Sequence, residues 1–284
     1  MTIARRHPDW IKSRAPTGKA VAETRATVRA LGLHTVCEEA QCPNLGECWS
    51  HHTAAGMLLG GTCSRSGRFC AVGHGKPLPI DPDEPRRVAE AVERLGLRHV
   101  VMTSVNRDDL PDGGAGHFAA TAAAVKSRVP ECAIEVLIPD LQGDHGALAT
   151  SVAAPIAILN HNTETVPRLY KQVRPGATYE RSLGILRAAK RLRPDLRTKT
   201  GLRLGLGETR DEVLAVLRDV RATGCDVLTL GQYLRPSMEE LPVERYVTPA
   251  EFAELGGEAR RMGFAYVESG PLVRSSYHAW QHLP

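Results

Sequence analysis

Apolar runs and polar turns alternate along most of this chain. Short continuous apolar stretches ending in polar or glycine-rich turns fall at 57–62, 99–105, 133–139, 155–160, 200–205 and 227–232. Each is followed by an amphipathic stretch with i, i+3, i+4 spacing, at 85–95, 116–128, 143–152, 179–192, 210–223 and 249–262. Strands buried on both faces read as continuous apolar runs, whereas a helix with one face on a core repeats every three to four residues. Six strand–helix units in series predict an α/β fold, a partial (β/α)6 TIM-type barrel with N-terminal and C-terminal extensions. A doubly wound sheet is the alternative.

The expected organisation is an N-terminal extension over 1–55, a barrel over 56–270 and a tail over 271–284. The extension holds one clear helix, near 20–31. Polar signatures fall where the strands end: TSVNRDD, PD, NHN, GLGET and GQY. Chemistry in such barrels sits at the C-terminal ends of the strands, so these residues are expected to converge on one mouth.

With 284 residues, 42% of them apolar, there is ample material for a core. No apolar run reaches the roughly 20 residues of a membrane span, and the first residues show no secretory h-region. The net charge of +4 is too mild for a nucleic-acid footprint.

Cysteine changes the picture most. Five of the seven cysteines lie between Cys37 and Cys70: Cys37, Cys42 and Cys48, then Cys63 and Cys70. Without a leader this predicts a reducing, cytoplasmic setting and metal or catalytic roles rather than disulfides. The spacings in CEEAQCPNLGEC are long for a zinc knuckle and suit a loop around a larger iron–sulfur core, with zinc or plain buried thiols as alternatives. Cys132 and Cys225 read as small buried hydrophobes. Glu135 on a strand, Asn160 and His161 at a strand end, and Glu208 before a helix are candidate cofactor contacts.

The segment CEEAQCPNLGECW closely resembles lipoyl synthases. So do TSVNRDDLPDGGA, NHNTETVPRLYKQVRPGA, TKTGLRLGLGET, TLGQYLRPS, LPVERYVTP and GPLVRSSYHA. The resemblance implies a radical S-adenosylmethionine barrel with two 4Fe–4S clusters. One, the auxiliary sulfur donor, would be held by Cys37, Cys42, Cys48 and Ser276. The other would bind S-adenosylmethionine through a CxxxCxxC motif, with Phe69 beside the cofactor. Cys63, Cys70 and Ser276 would then be catalytic. The implied substrate is an octanoyl group on a lipoyl carrier domain of 2-oxoacid dehydrogenase or glycine cleavage proteins. The implied partners include an electron donor, and the expected state is a monomer.

Three positions depart from the pattern. Gly67 stands where the third thiolate of the second cluster is expected. Arg203 replaces an apolar residue of the GxIxGxxE strand, and Gly56 replaces an aromatic before the first strand. Gly67 and Arg203 keep an alternative open: a pseudoenzyme that retains the auxiliary cluster and binds the acylated carrier without cleaving S-adenosylmethionine.

Overall fold

The computed structural model describes residues 7–13, 15–50 and 55–283. Among these, eight strands form one sheet: β1 (His34–Thr35), β2 (Ala55–Leu58), β3 (His99–Ser104), β4 (Ala133–Leu137), β5 (Ile158–Asn160), β6 (Arg197–Leu204), β7 (Val227–Gln232) and β8 (Tyr266–Gly270). They lie in chain order. β1 pairs antiparallel with β2, and all later neighbours pair in parallel. Among the described residues β8 does not bond back to β2, so the barrel is open at that seam.

The six expected strands are all present. The expected helices follow them at Glu84–Arg94, Ala115–Arg128, His145–Ala153, Tyr179–Leu192, Arg210–Ala222 and Pro249–Arg261. Local chemistry fixes their starts. Thr209 with Glu212, and Thr248 with Glu251, form reciprocal capping boxes, and Pro249 fills a first-turn position whose N–H has no helical partner. The strands are buried because helices cover their outer face and other strands close the inner one. All six residues of β7 are buried.

The sheet exceeds the sequence reading in three places. β6 begins at Arg197 rather than Thr200, because the polar residues Thr198 and Lys199 are fully buried with partners inside the barrel. β8 has one buried residue in its five, too weak an apolar signal to read as a strand. β1 spans only two residues.

Apolar packing between sheet and helices divides into two clusters. One runs from Met57 to Leu196 around β2–β5, the other from Val166 to Val267 around β6–β8. A third, smaller cluster joins the extension to the barrel: Val21, Cys37 and Trp49 pack with Ala55, Val101 and the tail residue Ala279. Cys132 and Cys225 are buried, as expected. Among the described residues no helix is long and apolar enough to cross a membrane.

Extension and tail interlock. Asn44 donates to the Leu272 carbonyl at 2.7 Å, and the Tyr277 hydroxyl meets both Glu47 oxygens at 3.2 Å. Arg197 donates to the His282 carbonyl at 2.8 Å. The tail also presses on β7 at Gly231, where a β-carbon would sit 2.0 Å from the Val273 carbonyl oxygen. The first two contacts join the extension to the tail; since Arg197 is the first residue of β6, the tail then runs on to the opposite end of the strands.

Candidate functional site

At the C-terminal ends of the strands lies a cavity of about 240 Å³. Its wall includes Cys37, Cys42 and Ser276 on the extension and tail side, and Cys63, Gly67 and Cys70 on the loop after β2. The two cysteine groups read from the sequence therefore face one space.

The first group is held by backbone turns. The Thr35 side chain caps the short helix Val36–Glu39, which carries Cys37. The Cys42 N–H donates to the Cys37 carbonyl at 3.0 Å, and the Cys48 N–H to the Asn44 carbonyl at 2.8 Å. Cys48 lies beside the other two, off the cavity wall, and its thiol is pushed up by burial and by Cys37 and Cys42. Burial, then the neighbouring Cys42, pushes Cys37 up to about 12. Such thiols stay protonated until a metal displaces the proton.

The second group sits on a loop clamped by charge. Arg65 bonds Asp108 at 2.5 Å and Asp140 at 2.7 Å, and Arg181 reaches the other Asp140 oxygen at 2.9 Å. Burial pushes the Asp140 carboxyl upward, but Arg65 and Arg181 outweigh it and hold the carboxyl well below its usual range. At the Cys63 sulfur two N–H groups of Asn106 converge, from the backbone at 3.3 Å and the side chain at 3.5 Å. Burial raises the Cys70 thiol.

Between the two groups stands Arg203. Its Nε donates to Glu164 at 2.9 Å, and its guanidinium lies 5.1 Å from the Phe69 ring centroid. This ion pair is what lets an arginine occupy an inward position of a barrel strand, where an unpaired charge would be too costly. Glu164 is not among the candidates from the sequence, although it was legible as the first carboxylate after the NHN strand end.

Phe69 and His161 line the cavity; Glu135, Asn160 and Glu208 are not on its wall. Glu135 instead pairs with Lys199 at 2.8 and 3.0 Å, and Asn160 donates to Glu135 at 3.0 Å. Glu208 accepts from the Gly205 and Leu206 N–H groups at 2.6 and 2.9 Å, clamping the turn after β6. His161 has both ring nitrogens engaged, with the Ile138 carbonyl and the Ser182 hydroxyl, each at 3.0 Å.

His161 also sets a pH response. Burial, followed by the charge of Arg174, lowers it to about 4, well below the ordinary imidazole range. The unfolded chain takes up the proton first as pH falls, so this stabilisation is complete above about 6.5 and lost progressively toward 4. The loss amounts to roughly 3 kcal/mol at this residue. His282, lowered to about 2 by burial and Lys199, adds to it. Urea denaturation at pH 7.5 and pH 4.5 is expected to show that drop, and the gap between the parent chain and His161→Gln is expected to shrink with pH. A constant gap contradicts the assignment.

The donor chemistry fits iron–sulfur groups. Among the described residues no three Cys, His, Asp or Glu side chains are placed to hold a single ion. Soft thiols spread along a cavity wall match a multi-iron core better than one ion. On one side the wall offers Cys37, Cys42 and the Ser276 hydroxyl, with Cys48 beside them; the loop after β2 offers two thiols, with Gly67 between them in sequence.

Comparison with known proteins agrees with this chemistry. The family model described as the radical SAM superfamily matches residues 57–220, and that of the N-terminal domain of lipoyl synthase matches residues 2–42. The lipoyl synthase of Rubrobacter xylanophilus is 56% identical over 272 residues, covering 96% of this chain and 85% of that protein. That of Chloroflexus aurantiacus is 54% identical, covering 98% and 91%. Among solved structures, methylornithine synthase superposes with a TM-score of 0.52 at 13% identity, over 89% of this chain and 79% of that one. Streptococcus suis SuiB bound to S-adenosylmethionine gives 0.59 at 8% identity, over 90% and 58%. These two speak for the fold alone.

Proposed function

The chain belongs to the lipoyl synthase family of the radical S-adenosylmethionine superfamily, and on that premise we propose how its cavity serves sulfur insertion into a protein-bound octanoyl group. Cys37, Cys42, Cys48 and Ser276 would hold the auxiliary cluster, and Cys63 and Cys70 would contribute two thiolates to a second one. When bound, the clusters and S-adenosylmethionine would supply the hydrogen-abstracting radical and the sulfur, with the electron coming from an external donor.

The observation that carries this reading is that both donor sets open on one cavity. Met57, Val101, Val105 and Leu137 give that cavity an apolar side suited to an octanoyl chain, where each buried methylene is worth about 0.8 kcal/mol. The Arg65–Asp140–Arg181 network keeps the Cys63–Cys70 loop in place, and Asn106 donates to the Cys63 sulfur. Ser276 offers a harder oxygen that iron holds less firmly than thiolate, which makes its corner the labile one. The acyl carrier is a lipoyl domain of a 2-oxoacid dehydrogenase or glycine cleavage protein, met in a reducing, cytoplasmic setting with an electron donor.

Anaerobic reconstitution with iron, sulfide and a small thiol tests this, on the parent and on Gly67→Cys. A β-carbon at Gly67 meets only the Phe69 ring, at 3.5 and 3.9 Å, so the cysteine fits. Gly67→Cys is expected to hold about eight irons, release 5′-deoxyadenosine under reductant and lipoylate an octanoylated domain. A variant that stays at about four irons and cleaves nothing overturns the two-cluster reading.

A further inference from the structure

The cations of this chain gather on one part of the cavity rim. From Leu59 to Ile80 and from Thr165 to Tyr179 the sequence holds Arg65, Arg68, Lys76, Arg168, Lys171 and Arg174 and no carboxylate, against a net charge of only +4 for the whole chain. The fold brings the two stretches together. The Arg68 N–H donates to the Val173 carbonyl at 3.3 Å, and a β-carbon on Gly176 would lie 3.5 Å from the Arg65 side chain. Gly67, Phe69 and Cys70 from the first stretch, and Arg174, Pro175 and Ala177 from the second, line the cavity. Arg68 and Lys171, close to them in sequence, are exposed, so they stand at its edge.

These cations differ in what neutralises them. Arg65 pairs with Asp108 and Asp140, and Arg168 with Glu212. Arg174 donates to neutral oxygens of Asn162, Thr163, Tyr170 and Ser182. Arg68 and Lys171 have no ion-pair partner among the described residues. The loop after β7 touches this edge where the Leu241 N–H donates to the Arg68 carbonyl at 2.9 Å, yet neither Glu239 nor Glu240 pairs with either cation. The cysteine loop of the extension has the opposite sign. From Ala30 to Ser64 there is no lysine or arginine, while Glu38, Glu39 and Glu47 flank the cysteines. Cys37, Ala40 and Cys42 bring that stretch to another part of the same wall. A charged partner at this mouth is therefore oriented as well as attracted.

We propose that the edge formed by Arg68 and Lys171 is a docking surface for an acidic protein partner, receiving carboxylates that flank the acylated lysine of the carrier. The inference rests on the octanoyl-carrier reading above. A lysine whose acyl chain enters the cavity leaves its own backbone outside, so the residues on either side of it meet the rim. Two exposed cations without partners can read the charge of those residues. Such exposed pairs are individually weak and screened by salt, which sets the scale of the effect.

Binding, independent of turnover, is the test. Fluorescence anisotropy is measured on the full chain, reconstituted anaerobically, with labelled octanoyl-lysine peptides of equal length whose flanks carry either aspartate and glutamate or lysine. The acidic peptide is expected to bind about tenfold more tightly at low salt. The difference is expected to vanish at about 1 M salt, where the Debye length is about 3 Å. Arg68→Glu with Lys171→Glu is expected to invert the preference. Arg187→Glu with Arg191→Glu, at two exposed cations of the helix Tyr179–Leu192, makes the same change of net charge and is expected to keep it. Equal binding of the two peptides, or inversion in the Arg187 and Arg191 variant as well, overturns the proposal and leaves the octanoyl reading standing. Tighter binding of a short oligouridylate than of the acidic peptide does the same and points to nucleic acid. If the octanoyl group adds nothing to the affinity of either peptide, the octanoyl reading falls and the docking surface with it.

Discussion

Replacing Glu135 by alanine is expected to destabilise the chain by about 3–5 kcal/mol, a large share of the roughly 5–15 kcal/mol that holds a typical domain folded. Glu135 and Lys199 are both fully buried inside the barrel, 2.8 Å apart. Burial lowers the Lys199 ammonium even with its partner present, and Glu135 is the first of the groups opposing that shift. Without the carboxylate, the ammonium must lose its proton or remain charged in a dry interior, and Asn160 loses the acceptor of its 3.0 Å hydrogen bond. Removing both charges is a different matter. The double substitution Glu135→Leu with Lys199→Met is expected to recover most of the loss, since well-packed apolar pairs often match buried ion pairs. Urea denaturation of the two single variants and the double one measures the coupling. A single variant within about 1 kcal/mol of the parent, the median worth of an exposed pair, contradicts the account.

Gly231→Ala is expected to detach the tail from the cavity. Its new β-carbon would stand 2.0 Å from the Val273 oxygen and 2.9 Å from the Val273 carbonyl carbon, so backbone must move. Overpacking of this kind costs about 1–3 kcal/mol. The functional loss is expected to be greater than that figure suggests, because Ser276 follows three residues after the displaced carbonyl. Under the ligand assignment proposed above, iron held with Ser276 is expected to fall, and cleavage of the tail by limited proteolysis to quicken. Gly184→Ala is the matched control: it lies in the helix Tyr179–Leu192 with nothing within 4 Å of the new carbon. There alanine is expected to stabilise by about 0.5–1 kcal/mol. Unchanged tail cleavage in Gly231→Ala argues against the bracing role.

The barrel was largely legible because its strands and helices each bury apolar faces with their own period. What escaped the pattern was polar: the start of β6 at Thr198 and Lys199, and β8 with Glu268 and Ser269 in its five residues. An apolar run marks a strand only where its neighbours are apolar. The cysteines, Phe69 and Ser276 could be placed from motif spacing and resemblance, and the structure brings most of them to one cavity. Carboxylates were harder. Glu135 and Glu208 looked like cofactor contacts because a buried carboxylate needs a partner, but sequence does not say whether that partner is a ligand, a lysine across the barrel or two N–H groups in a turn. For Glu164 the reverse held: its role depends on Arg203, which lies on the next strand.

The interlock of extension and tail also bears on how this protein is made. Under the assignment above, one cluster would draw three donors from positions 37–48 and one from position 276, more than two hundred residues later in translation. A ribosome-bound nascent chain therefore exposes the cysteine loop, with Asn44 and Glu47 still awaiting Leu272 and Tyr277, long before the serine emerges. Under that assignment the site has its full donor set only once the tail has been made and has met the cysteine loop.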